Sequence, residues 1–175
     1  MKKAIIIATG VIQGIILTML FSSGLSAQYT AAIGMRTGGT RGVTAKYFYK
    51  PAVAADGILG TFENGFSLTA LIEKYDPIYV VRGLYGYYGA GTHLAIYNGN
   101  SRYDRYYNYI GRDVASRKAN ELGFGINIIF GVEYRMPYGI PLIFTVDMKP
   151  FVEVGTGGHV SVAPDPSVGI KFMIR

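Results

Sequence analysis

Period-two hydrophobicity, an excess of glycine and tyrosine, and an apolar N-terminal leader predict an all-β fold: an eight-stranded antiparallel up-and-down β-barrel behind a cleaved signal peptide. The pattern is plainest in GINIIFGVEYRM, residues 125 to 136. Ile126, Ile128, Phe130, Val132, Tyr134 and Met136 fall on one side; Asn127, Ile129, Gly131, Glu133 and Arg135 fall on the other. Only a strand separates these sets, because successive side chains point to opposite faces of a sheet. The chain has 24 Gly, 15 Tyr, no Cys and no Trp in 175 residues. Without cysteine there are no disulfides, thiolate metal sites or cysteine nucleophiles. The 17 Lys and Arg against 11 Asp and Glu are scattered through apolar alternation, forming no basic stripe, so a nucleic-acid partner is not expected.

The leader comes first. MKKAIIIATGVIQGIILTMLFSSGLSAQ opens on Lys2 and Lys3, runs apolar from Ala4 to about Phe21, and closes on small and polar residues ending Leu25-Ser26-Ala27. This order is that of a secretory signal, with cleavage expected after Ala27 and the barrel domain spanning 28–175. Eight strands follow from alternation and from the turn residues between them: about 29–37, 43–50, 56–63, 66–75, 79–97, 121–136, 140–155 and 166–175. In the seventh, Leu142, Phe144, Val146 and Met148 oppose Ile143, Thr145, Asp147 and Lys149. The fourth and eighth divide the same way. Gly83, Gly86, Gly89 and Gly91 within the fifth mark bends or close approaches.

Energetics decides which face is wet. A Lys or Arg facing the middle of a bilayer costs about 2–4 kcal/mol, whereas charges collected inside can pair. Arg36, Lys46, Glu73, Glu133, Arg135, Asp147, Lys149 and Lys171 are therefore expected to form a polar interior, with the apolar faces toward lipid. Eight strands enclose just enough room for side chains, so this set reads as a packed core and not a pore. Tyr85, Tyr87, Tyr88, Tyr97, Tyr134 and Tyr138 suit interfacial girdles. No later stretch reaches the apolar length of a spanning helix, so an integral membrane form of this chain must be a closed transmembrane barrel.

The segments GVTAKYFY, DGILGTF, FSLTALIEKYDP, YGYYGAGTHLAIY, GFGINIIFGVEYRM, IPLIFTVDMKPFVEV and SVGIKFMIR resemble small outer-membrane β-barrel proteins of Bacteroidota-type Gram-negative bacteria, related in architecture to OmpA and OmpX barrels. The resemblance covers nearly the whole chain after the leader. It implies an outer-membrane location, contact with membrane lipid and lipopolysaccharide, and a monomeric state.

The expected role is structural or surface-interacting and non-enzymatic, with no cofactor and no metal. Residues 98–120, NGNSRYDRYYNYIGRDVASRKAN, form the long fifth connection, extracellular if the termini are periplasmic. Arg102, Tyr103, Arg105, Tyr106, Tyr107, Tyr109, Arg112, Arg117 and Lys118 make it a candidate surface for an extracellular protein or an acidic glycan. Two alternatives stand beside this reading. His159 and Ser161 resemble the His-x-Ser element of lipid A deacylase barrels, which would imply a hydrolase acting on lipid A or phospholipid, but only Asp165 follows as an orienting carboxylate. A soluble periplasmic ligand-binding barrel would need the apolar faces inside and the charges outside.

Overall fold

A computed structural model describes residues 29–62, 65–97, 121–156 and 160–174. The described residues contain strands and turns and no helix. In chain order the strands are β1 (Ala31–Gly38), β2 (Arg41–Lys50), β3 (Val53–Phe62), β4 (Gly65–Pro77), β5 (Leu84–Tyr97), β6 (Glu121–Arg135), β7 (Leu142–Met148), β8 (Phe151–Gly155), β9 (Val160–Ala163) and β10 (Pro166–Ile174). Strands β7 and β8 are the two halves of one stave, interrupted at Lys149 and Pro150; β9 and β10 are the halves of another, interrupted at Pro164 and Asp165. Proline cannot donate to a ladder, which accounts for both breaks. Every pairing is antiparallel, and β1 pairs both β2 and β10, so eight staves close into a barrel.

The register fixes the stagger. Met35, Val43, Leu59, Leu68, Leu94, Phe124, Val154 and Val160 are successive cross-strand partners, while Met35 itself pairs Ile170 on the last stave. The circuit returns ten residues from its start, a shear that tilts the strands, and with only eight staves the lumen has about the width of packed side chains. All eight residues on that circuit face outward. The strand ends Gly38, Arg41, Phe62, Gly65, Tyr97, Glu121, Gly155 and Val160 stand at one end of the barrel; the turns at 51–52, 78–83 and 136–141 lie at the other, with Tyr29 and Ile174. These are called here the loop end and the terminus end.

Alternation persists where strands were expected, most boundaries shift by one to three residues, and two shift by five or more. Residues 78–83 form a turn and not the start of a strand, because Gly83 takes a φ of 88° and Leu84 N donates back to Val81 O. The last stave begins earlier than 166, at Val160. Gly89 and Gly91 are close approaches as expected: a Cβ on Gly91 would collide with the Ala70 carbonyl of β4.

Candidate functional site in the charged interior

Arg36, Lys46, Glu73, Glu133, Arg135, Asp147, Lys149 and Lys171 all point into the barrel, and the structure assembles them into two of three interior clusters. Sequence reasoning missed three further carboxylates, Asp56, Glu153 and Asp165, which are 4%, 1% and 1% exposed. Parity held the signal for two of them. Reading inward positions on from Lys149 through Phe151 reaches Glu153, inside the expected strand 140–155, and reading back from Ser167 reaches Asp165, just outside the expected start at 166.

The terminus-end cluster centres on Lys46. Its ammonium lies 2.8 Å from Glu73 Oε2 and 3.5 Å from both Asp56 Oδ2 and Glu133 Oε2, and donates to the Tyr75 hydroxyl. Tyr75 in turn donates to Glu73 Oε2 at 2.7 Å. Lys171 donates to Asp56 Oδ2 at 2.9 Å and Thr44 to Asp56 Oδ1 at 2.5 Å. Glu133 Oε1 accepts from Arg135 Nε at 2.8 Å and from the Tyr29 hydroxyl at 2.9 Å. That answers how a glutamate and an arginine can stand within an apolar segment: both project inward, where they bond each other. The Arg135 guanidinium also stacks on the Tyr85 ring, 3.7 Å from its centroid, while Lys46 lies 4.8 Å from the ring centroids of Tyr75 and Tyr87.

A second cluster lies beside it. Arg36 Nη2 donates to Asp147 Oδ1 at 3.1 Å; Ser167 and Tyr87 donate to the same carboxylate at 2.8 Å. Lys149 pairs with Asp165 at 2.9 Å, and the Thr40 backbone amide donates to Asp165 Oδ1 at 2.7 Å. Stacking of Tyr87 on Tyr75, 5.1 Å between centroids, joins the two clusters. Ala54, Ile58, Leu71 and Ile129 fill the space around these rings.

The third cluster lies toward the loop end. His93 Nε2 is 2.9 Å from Glu153 Oε2 and its Nδ1 is 3.0 Å from Asn127 Oδ1; the Tyr97 hydroxyl donates to Glu153 Oε1 at 2.7 Å. Glycine makes this cluster possible. Gly123 and Gly125 of β6 face inward beneath it, and a Cβ at these positions would strike the Glu153 carboxyl and the His93 ring. Both ring nitrogens of His93 are thus engaged, Nε2 by the Glu153 carboxylate and Nδ1 by the Asn127 amide. Phe151 caps the ring edge-on at 5.1 Å.

Tyrosine is where expectation and structure part. Tyr87 and Tyr97, expected in the interfacial girdles, are 3% and 1% exposed and hydrogen-bond interior carboxylates. Tyr85 is half-buried against Arg135. Tyr88 and Tyr138 do face outward. The hydroxyl explains the difference, because a buried carboxylate needs a donor and tyrosine supplies one at the end of an apolar ring.

Arg102, Tyr103, Arg105, Tyr106, Tyr107, Tyr109, Arg112, Arg117 and Lys118 lie outside the described residues, as does His159. Ser161 faces inward opposite Glu153 in the β8–β9 register. Asp165, the carboxylate downstream of Ser161, is engaged by Lys149 and Thr40. Among the described residues there is no group of three or more potential metal ligands. No family model matches the chain, and no curated protein matches it.

Proposed function

We propose that this chain is an integral outer-membrane β-barrel with a structural or surface-interaction role and no catalysis of its own. One observation carries the reading: the charges are inside and the grease is outside. Among the described side chains, charge on the outer wall occurs only toward strand ends, at Arg41, Lys50, Lys74 and Asp76. Between them the wall exposes Ile33, Met35, Val43, Leu59, Leu68, Ile72, Ile126, Ile128, Phe130, Val146, Ile170 and others, most of them about half exposed. Water tolerates apolar patches of a few hundred Å² on a monomer, far less than a belt around a whole barrel. Lipid accepts that belt, and closure leaves no sheet edge to satisfy.

The same polarity speaks against a soluble ligand-binding barrel, whose lumen would be apolar. The filled lumen favours a non-conducting barrel over a channel. The leader, the resemblance to OmpA- and OmpX-type barrels and the even number of staves are consistent with an outer-membrane address, with the long fifth connection outside and lipopolysaccharide around the wall.

The test is fractionation of cells expressing the full chain, followed by folding of the purified protein into lipid vesicles. The protein should sediment with the outer membrane and migrate differently on gels before and after boiling. Ile128→Arg, which turns a charge outward at the middle of the wall, should cost about 2–4 kcal/mol in vesicles; Tyr49→Arg, beside Lys50 at the terminus end, should cost about 0–1 kcal/mol. A stable detergent-free monomer, or equal cost at the two positions, would defeat the proposal.

A further inference from the structure

The turns at the terminus end carry a surface that the barrel wall does not require. Strands β5 and β6 are neighbours, so the turn at 78–83 and the turn at 136–141 stand side by side. They are tied together: Arg135 N donates to Gly83 O at 2.7 Å. A Cβ on Gly83 would strike the Arg135 carbonyl, so this contact demands glycine.

These turns present apolar side chains to the outside. Tyr79, Val80 and Tyr138 are 93%, 89% and 92% exposed, and Val81 and Ile140 are exposed beside them. Tyr138 has a φ of 64°, the left-handed region that a bulky residue enters at a cost of about 1–2 kcal/mol. No burial of its ring offsets that cost. The other turn at this end, Pro51-Ala52, is short and follows Lys50. Exposed charge here is mostly basic, with Lys50, Lys74 and Arg82 against Asp76.

We propose that the two turns form a foot seated in the interfacial layer of the adjoining leaflet, with phospholipid as its ligand. Tyr79 and Tyr138 lie at headgroup level, Val80 and Ile140 reach the upper acyl chains, and Arg82 meets lipid phosphate. Two features select lipid over a protein partner. The foot continues directly from the apolar wall through Leu84 and Tyr134, paired where β5 and β6 meet the turns. Its mixture of tyrosine, aliphatic and basic residues is that of an interface anchor. Because the feature is confined to the β4–β7 side, it seats the barrel more deeply there than at β2–β3. The inference rests on the membrane reading given above.

The chain has no tryptophan, so single reporters can be introduced without background. The full chain carrying Val80→Trp, Tyr138→Trp or Ile128→Trp is folded into vesicles of phosphatidylcholine and phosphatidylglycerol with bromine placed high or low on the acyl chains. Ile128 is a mid-wall control, 61% exposed. Deep bromine should quench Ile128→Trp most strongly; shallow bromine should quench the other two, with blue-shifted emission. Water-like, unquenched emission at 80 and 138 beside a quenched 128 would overturn the foot and leave the membrane barrel standing. Loss of quenching at all three would overturn both.

Discussion

At the terminus end, Lys46 meets three carboxylates and Lys171 and Arg135 complete the charge, whereas toward the loop end Glu153 is held by a histidine and a tyrosine. Both clusters are buried. The first pairs Asp56, Glu73 and Glu133 with Lys46, Lys171 and Arg135; the cluster beside it likewise pairs Asp147 and Asp165 with Arg36 and Lys149. The His93 and Glu153 pair becomes an ion pair only when the imidazole carries two protons. Burying an ion is costly unless a partner and hydrogen bonds accompany it. The barrel thus meets one requirement in two ways, with carboxylates shared among Lys and Arg side chains at one end and a carboxylate met by an imidazole and a phenol at the other.

The largest expected effect is at Lys46. Lys46→Met removes the cation common to Asp56, Glu73 and Glu133, and leaves three buried carboxylates with two bases. A cost of about 3–5 kcal/mol is expected, measured as denaturant unfolding in vesicles. A change below about 1 kcal/mol would mean that the cluster is held by packing and not by its charges.

His93→Gln should cost less, about 1–3 kcal/mol, because Tyr97 still donates to Glu153 and only one charge-assisted bond is lost. The double variant His93→Gln/Glu153→Gln should cost less than the sum of the two single changes, as expected of a directly coupled pair. Strict additivity would show that the two side chains do not interact. Nitrogen NMR of the folded protein sharpens this contrast, since the His93 Nε2 that meets Glu153 should carry a proton, a carboxylate oxygen being an acceptor. Asn127 Nδ2 has no hydrogen-bond partner in the present arrangement. Turning that amide would let Nδ2 donate to His93 Nδ1, and a bare Nε2 would mean that His93 does not donate to Glu153.

The terminus-end cluster was the more legible of the two in the sequence, for a physical reason. Lys46, Glu73, Glu133 and Arg135 stand in uninterrupted alternation, where one charged residue among apolar neighbours declares its face. Glu153 lay within the expected strand 140–155, but the division of faces was read only as far as Lys149; Asp165 lies between two prolines, which read as a turn even though the stave continues past them in phase. Asp56 stood at the edge of its predicted strand, where a charge carries no facing information. Tyr87 and Tyr97 were ambiguous because tyrosine suits both an interface and a buried carboxylate. The pairing of His93 with Glu153, 60 residues apart, depends on register across β5, β6 and β8, which no local pattern encodes.

The smallest effect on the barrel is expected from the largest deletion. Replacing residues 98–120 by a tight turn between Tyr97 and Glu121 removes all nine arginine, tyrosine and lysine positions proposed for surface binding. It touches neither the Lys46 cluster nor the Arg36 cluster. Loop length contributes to stability only through a slowly varying closure entropy, so the change should be within about 1 kcal/mol. Whatever difference appears should arise near the His93 cluster, because Tyr97, which donates to Glu153, is the last described residue before the deleted segment. Binding to lipopolysaccharide vesicles or to surface polysaccharide should disappear while heat-modifiable gel mobility is retained. Retained binding would move the interaction from the long connection to the barrel rim, and lost mobility would make the connection part of the fold.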